Sequence, residues 1–197
     1  MKELNVISSC TCGCNSENDE KVEESCCGSD CRCNEESNYT DEKIIIDFLY
    51  LDLNECTRCQ GTDQNLEEAI LEVENVLKSA GKEVEINKVN IISEELAKKY
   101  QFLSSPTIRV NGVDIQEEIT EDNCESCGDL CGDEVDCRTW EFKGETYSEP
   151  PKSLIVEGIL KRVYGENELE NNDDKYEIPE NLKKFFKGKN KKELKIK

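Results

Sequence analysis

The sequence predicts an α/β fold in which a central mixed sheet is flanked by helices. Three observations carry that expectation. The apolar, β-branched run Ile44-Ile45-Ile46-Asp47-Phe48-Leu49-Tyr50-Leu51-Asp52-Leu53 reads as a buried strand. Behind it Leu66, Ala69, Ile70, Val73, Leu77 and Ala80 fall at helical spacing, leaving Glu67, Glu68, Glu72, Glu74 and Lys78 to solvent. Residues 83–92 then alternate as Val84, Ile86, Val89 and Ile91 with one slip, which completes a βαβ unit with parallel strands.

The first strand covers residues 43–53 and leads into Cys56-Thr57-Arg58-Cys59. Helix amides and the Arg58 cation both favour thiolate over thiol, the form that attacks disulfides or binds soft metals. The same pair also fits half of a structural zinc site, or two cysteines packed as small hydrophobes. Gly61-Thr62-Asp63 interrupts the helical pattern, so the helix over 64–80 is expected to begin near Thr62 or Asp63, with Gly81 as its C-cap. Ser93 is an N-cap for a short helix through Tyr100. Thr107-Ile108-Arg109-Val110 is a strand closing on Asn111-Gly112, with residues 113–119 as its partner. Residues 138–147 form a hairpin arm turning at Lys143-Gly144, with Trp140 in the core. Glu149-Pro150-Pro151 starts a helix through Tyr164 whose buried face is Leu154, Ile155, Ile159, Leu160 and Val163, and Gly165 ends it.

Cysteine and charge divide the chain. Residues 1–41 hold Cys10, Cys12, Cys14, Cys26, Cys27, Cys31 and Cys33 among Asn, Ser, Gly, Asp and Glu. This composition buries too little apolar surface to offset chain entropy, so a disordered head that captures soft ions is expected. Residues 42–165 are the folded domain, with a Cys-rich insertion at 120–137 carrying Cys124, Cys127, Cys131 and Cys137. Three readings of the insertion stay open. Its four sulfurs close a zinc tetrahedron, or it lies as a thiol lid beside Cys56, relaying electrons or sharing an ion, or its thiols are inert. Residues 166–197 are an acidic linker and a basic tail. Leu182, Phe185 and Phe186 line one side of a short helix there, and a solvated lysine tail follows from Lys187.

Composition removes several function classes. The net charge is −20, and because residues 183–197 carry +7, the rest sums to −27. Such acidity argues against nucleic-acid binding. With no histidine, Ser-His-Asp and Cys-His catalysis and imidazole zinc ligands are excluded. Thirteen cysteines is an odd number at metal-like spacing, and residues 1–9 lack a signal-peptide core, so thiols in a reducing cytoplasm are expected. No run reaches the ~20 apolar residues of a membrane span.

Leu-Asp-Leu-x-x-Cys-x-Arg-Cys-x-Gly-Thr at 51–62, Ser-Ser-Pro-Thr-Ile-Arg-Val-Asn-Gly at 104–112 and Cys-Glu-Ser-Cys-Gly-Asp-Leu-Cys-Gly at 124–132 resemble an uncharacterised thioredoxin-like family. That family is a domain of unknown function, some of whose members accompany arsenic-resistance genes, and the likeness covers about 43–165. It implies a thioredoxin-like fold, a cis Ser105–Pro106 bond and a Pro106 loop lying against the CxxC. The chain departs from thioredoxins themselves at Glu55, where they have tryptophan, and at Thr57-Arg58, where they have Gly-Pro.

Two functions follow as expectations. The first is a thiol–disulfide oxidoreductase in which Cys56 attacks, Cys59 resolves, Arg58 lowers the thiolate pKa and Pro106 shapes the groove. It needs no cofactor, and it takes a thiol, disulfide or metalloid substrate and a reducing partner protein. The alternative is a non-catalytic protein that binds arsenite, Cu, Zn or another soft ion through its thiolates.

Overall fold

β1 (Glu42–Tyr50) forms on the longest β-branched run, and alternate residues Ile44, Ile46 and Phe48 turn to one buried face. The computed structural model describes residues 42–165 and 176–196. After β1 come α1 (Thr57–Ser79), β2 (Lys82–Asn90), α2 (Glu94–Lys99), β3 (Thr107–Val110) and β4 (Val113–Asp114). β5 (Thr120–Asn123), α3 (Glu125–Cys131), β6 (Asp136–Phe142), β7 (Glu145–Tyr147), α4 (Lys152–Tyr164) and α5 (Glu180–Ile196) complete the described elements. The main sheet has the order β2-β1-β3-β4. β1 and β2 are parallel while β3 runs antiparallel to both β1 and β4, so the sheet is mixed, as the sequence predicts. A second, antiparallel sheet has the order β5-β6-β7.

Two cores follow from the alternation along β1. Ile44, Ile46 and Phe48 join Ile108 and Val110 of β3 against Leu66, Ile70, Val73 and Leu77 of α1 and Ile155 and Ile159 of α4. Leu49 and Leu51 belong instead to a cluster with Ala97, Phe102 and six cysteines, closed by Ile178, Leu182, Phe185 and Phe186. The six described cysteines thus sit in one core.

Local chemistry sets the remaining boundaries. Ser93 caps α2 by accepting the Leu96 amide at 3.3 Å. Replacing it with alanine is expected to cost about 1 kcal/mol in urea unfolding. Lys143 and Gly144 both have positive φ, which lets β6 turn directly into β7.

Three elements differ from expectation. α1 begins at Thr57 and runs 23 residues straight through Gly61. Its first turn is closed by the Gln60 amide on the Cys56 carbonyl and by the Thr62 hydroxyl on the Arg58 carbonyl. A glycine inside a helix costs only about 1 kcal/mol, which packing of Arg58, Cys59 and Thr62 outweighs. β4 stops after two residues, because Asp114 turns to meet the buried Arg138 guanidinium at 2.6 and 2.9 Å. In the last segment α5 runs through to Ile196 where a solvated lysine tail is expected from Lys187. Leu182, Phe185 and Phe186 are buried, and Gly188 lets α5 approach α3: a Cβ there would lie 2.4 Å from the Cys131 carbonyl oxygen.

Candidate metal centre

Cys56 is the N-cap of α1, delivered by the end of β1 and the short turn after it. That turn is fixed by Asp52, whose carboxylate accepts the Asn54 and Glu55 amides at 2.8 and 2.9 Å. Cys59 lies one turn further in, with its Sγ 3.4 Å from Ser105 Oγ. The same hydroxyl accepts the Leu51 amide at 3.1 Å, so Ser105 ties the loop before β3 to the end of β1. The Ser105–Pro106 peptide bond is cis. Replacing Ser105 with alanine strands a buried amide at Leu51, and urea unfolding is expected to show a loss of about 1–3 kcal/mol.

The insertion brings a second set of thiols to this point. Cys124 is the N-cap of α3 and Cys127 lies in its first turn. The sulfurs of Cys56, Cys124 and Cys127 all lie within 4.8 Å of one another, and all three residues are buried. Cys127 Sγ is 3.7 Å from Cys56 Sγ, and Cys137 Sγ is 3.3 Å from Cys127 Sγ. Cys131 faces elsewhere, toward the carbonyls of Gly128 and Asp133 at 3.7 and 3.5 Å. The four insertion cysteines therefore do not gather by themselves. Cys56 joins two of them, Cys137 leans on Cys127, and Cys131 stands apart. All six described cysteines are free thiols. Cys10, Cys12, Cys14, Cys26, Cys27, Cys31 and Cys33 lie outside the described residues.

The cluster favours the thiolate form at Cys56 and at Cys124. S–H groups of Cys124, Cys127, Cys137 and Cys59 hold the Cys56 thiol far below the usual thiol range, against the opposing pull of burial. Cys124 is drawn down to about 7 by Cys127 and Cys137. The Cys56 neighbour, then burial, push Cys59 up. Cys127 and Cys137 are pushed up, each chiefly by Cys124. The N-terminus of a long helix adds to the preference for thiolate at Cys56.

The Arg58 side chain reaches the inserted segment. Its guanidinium donates to Asp122 Oδ1 at 2.6 Å and to the carbonyls of Cys137, Arg138 and Asn123 at 2.9, 3.2 and 3.3 Å. Cys56 and Cys59 are both fully buried. The roles of Asp122 and Asp52, and of the Ser105 hydroxyl, escape a reading of the sequence. Ser105 had a signal, as it adjoins Pro106; Asp122, an ordinary acid in an acidic stretch, had none.

Fold and site together define an α/β protein with a buried cysteine cluster built from a CxxC motif and an inserted arm. Residues 44–159 match the family model described as Domain of unknown function (DUF2703), and the chain belongs to that family. Neither the curated proteins nor the solved structures compared with it contain a match. Among the described residues no helix is long and apolar enough to cross a membrane.

Proposed function

We propose that this protein binds soft metal or metalloid ions through thiolates, with the ion seated between Cys56, Cys124 and Cys127. The convergence of three buried sulfurs within 4.8 Å of one another carries this reading. At a metal–sulfur distance of about 2.3 Å, sulfurs sharing one ion lie roughly 4 Å apart. An all-sulfur site suits Zn(II), Cd(II), Cu(I) or trivalent arsenic better than hard cations. The head of residues 1–41 adds seven thiols that would capture ions and pass them inward by ligand exchange.

Thiol–disulfide exchange is the second reading. Cys56 at the N-cap of α1 and the Ser105 hydroxyl beside Cys59 favour it. A thioredoxin-like fold, with the Pro106 loop against the CxxC and a reducing partner in the cytoplasm, belongs to it. Complete burial of Cys56 weighs the other way, because a thiolate must be reached to attack a disulfide. Ion binding needs no such access once the ion is seated.

The test uses full-length protein with the seven head cysteines changed to serine, titrated anaerobically with Cd(II), Zn(II) and arsenite. One ion bound per chain through three sulfurs, counted by X-ray absorption, is the expected result. No binding, together with rapid reduction of a model disulfide, would replace this reading with the second.

A further inference from the structure

We propose that Arg58 is the positioning residue that assembles the sulfur site, by lashing the inserted arm to the start of α1. The inference rests on the ion-binding reading above. Cys56 is local to α1, but Cys124 and Cys127 arrive from an arm some seventy residues further along the chain, Cys127 being 71 positions from Cys56. Something must fix that arm to within a fraction of an ångström, since three sulfurs must meet one ion.

Arg58 is placed to do so. It sits inside the CxxC, on α1, and all four of its acceptors lie on the arm. The Asn123 carbonyl belongs to the peptide unit that leads into Cys124, and the Cys137 carbonyl belongs to the residue whose sulfur touches Cys127. The guanidinium thus grips both strands of the β5–β6 pair at the level of their cysteines. Among the described residues, the other non-sulfur side-chain contact from the start of α1 to the arm is between the Thr57 and Ser126 hydroxyls, at 3.4 Å in an exposed position, while Arg138 holds β6 to Ser105 and Asp114. A planar fork with several donors suits such a task, and a lysine ammonium cannot copy its geometry.

The expected role is therefore one of position, separate from acidifying Cys56. Charge still reaches the arm, because the cation also lies close enough to Cys124 and Cys137 to interact with them electrostatically. Two variants separate the effects: Arg58→Lys keeps the charge and loses the fork, whereas Arg58→Met loses both.

The experiment is Cd(II) titration of full-length protein lacking the head thiols, read by chelator competition and by the sulfur-to-cadmium charge-transfer band. Far-UV circular dichroism checks the fold of each metal-free variant. Arg58→Met and Arg58→Lys are both expected to bind Cd(II) about 10–100-fold more weakly, the usual cost of losing a partner that orients metal ligands. The charge-transfer band per bound ion is expected to shrink, as fewer thiolates reach it. Wild-type affinity and band in Arg58→Met would overturn the proposal, and so would full rescue by Arg58→Lys, which would leave only charge. Should Arg58→Met not fold, Asp122→Ala removes one acceptor from an exposed position; a smaller loss of the same sign is expected, and none would overturn the proposal. Failure of the binding reading looks different: the parent protein itself would then show no charge-transfer band.

Discussion

Cys127→Ser, in full-length protein without the head thiols, is expected to weaken Cd(II) binding by about 100-fold or more. Structural zinc sites gain roughly 10–16 kcal/mol from four ligands, so one thiolate is worth on the order of 3 kcal/mol. Cys127 is the choice because its sulfur touches both Cys56 and Cys137, so its loss opens the middle of the cluster. Cys131→Ser is the control. Cys131 is buried in the same helix, but its sulfur is directed to the Gly128 and Asp133 carbonyls, and its affinity is expected to match the parent. Competition against a chelator of known affinity measures both. Equal losses in the two variants would mean that the cysteines act by holding α3 together and not as ligands.

The contrast between Cys127 and Cys131 also marks how far a sequence can be read. Patterns with local causes are legible: the period-2 run of β1, the 3.6-period face of α1, Ser93 as a cap, and Lys143-Gly144 as a turn all recur in the structure. The mixed sheet follows from them, because a βαβ unit fixes the first two strands and Asn111-Gly112 reverses the next. The start of α1 is less legible. Gly61 reads as a break, yet the Thr62 hydroxyl and the burial of Cys59 carry the helix past it.

Spacing alone does not decide which cysteines meet. Cys124, Cys127, Cys131 and Cys137 look like one set of four, and the spacing leaves a zinc tetrahedron and a lid over Cys56 both open. The choice depends on where α3 docks, and the contacts made there include Arg58 on the β5–β6 pair, Arg138 on Asp114 and Gly188 against Cys131. Arg138 is fully buried, with its guanidinium on Asp114 and 4.3 Å from the Trp140 ring, and its amide donates to the Ser105 carbonyl at 2.8 Å. None of these contacts has a signature in the chain, since each pairs residues that are far apart and individually ordinary. The last segment was legible in part. Leu182, Phe185 and Phe186 read as one side of a short helix, but the groove they fill is formed by other segments, and the helix runs on through the lysines to Ile196.

Phe185→Ala tests that last point and is expected to cost about 3–5 kcal/mol, the usual range for a fully buried phenylalanine. Phe185 packs edge-on against Phe186 at 5.8 Å and belongs to the same cluster as Cys56 and Cys127. Polar contacts also tie this helix down: Lys189 Nζ lies 3.5 Å from Asp52 Oδ2, Lys192 donates to the Asp129 carbonyl, and Asn181 accepts the Asp136 amide and donates to its carbonyl. The Lys192 contact is exposed and adds little, and the largely buried Lys189–Asp52 pair loses much of its attraction to desolvation, so the aromatic contacts dominate the docking of α5. If α5 opens separately from the rest, the lost energy appears as local opening and not as global unfolding. A loss of about 3 kcal/mol then raises the open population by roughly 100-fold. Alkylation of Cys56 and Cys127, followed by peptide mass spectrometry, is expected to accelerate by about that factor, while the urea midpoint of the main sheet moves little. Unchanged alkylation together with a lowered urea midpoint would instead make α5 part of one cooperative core.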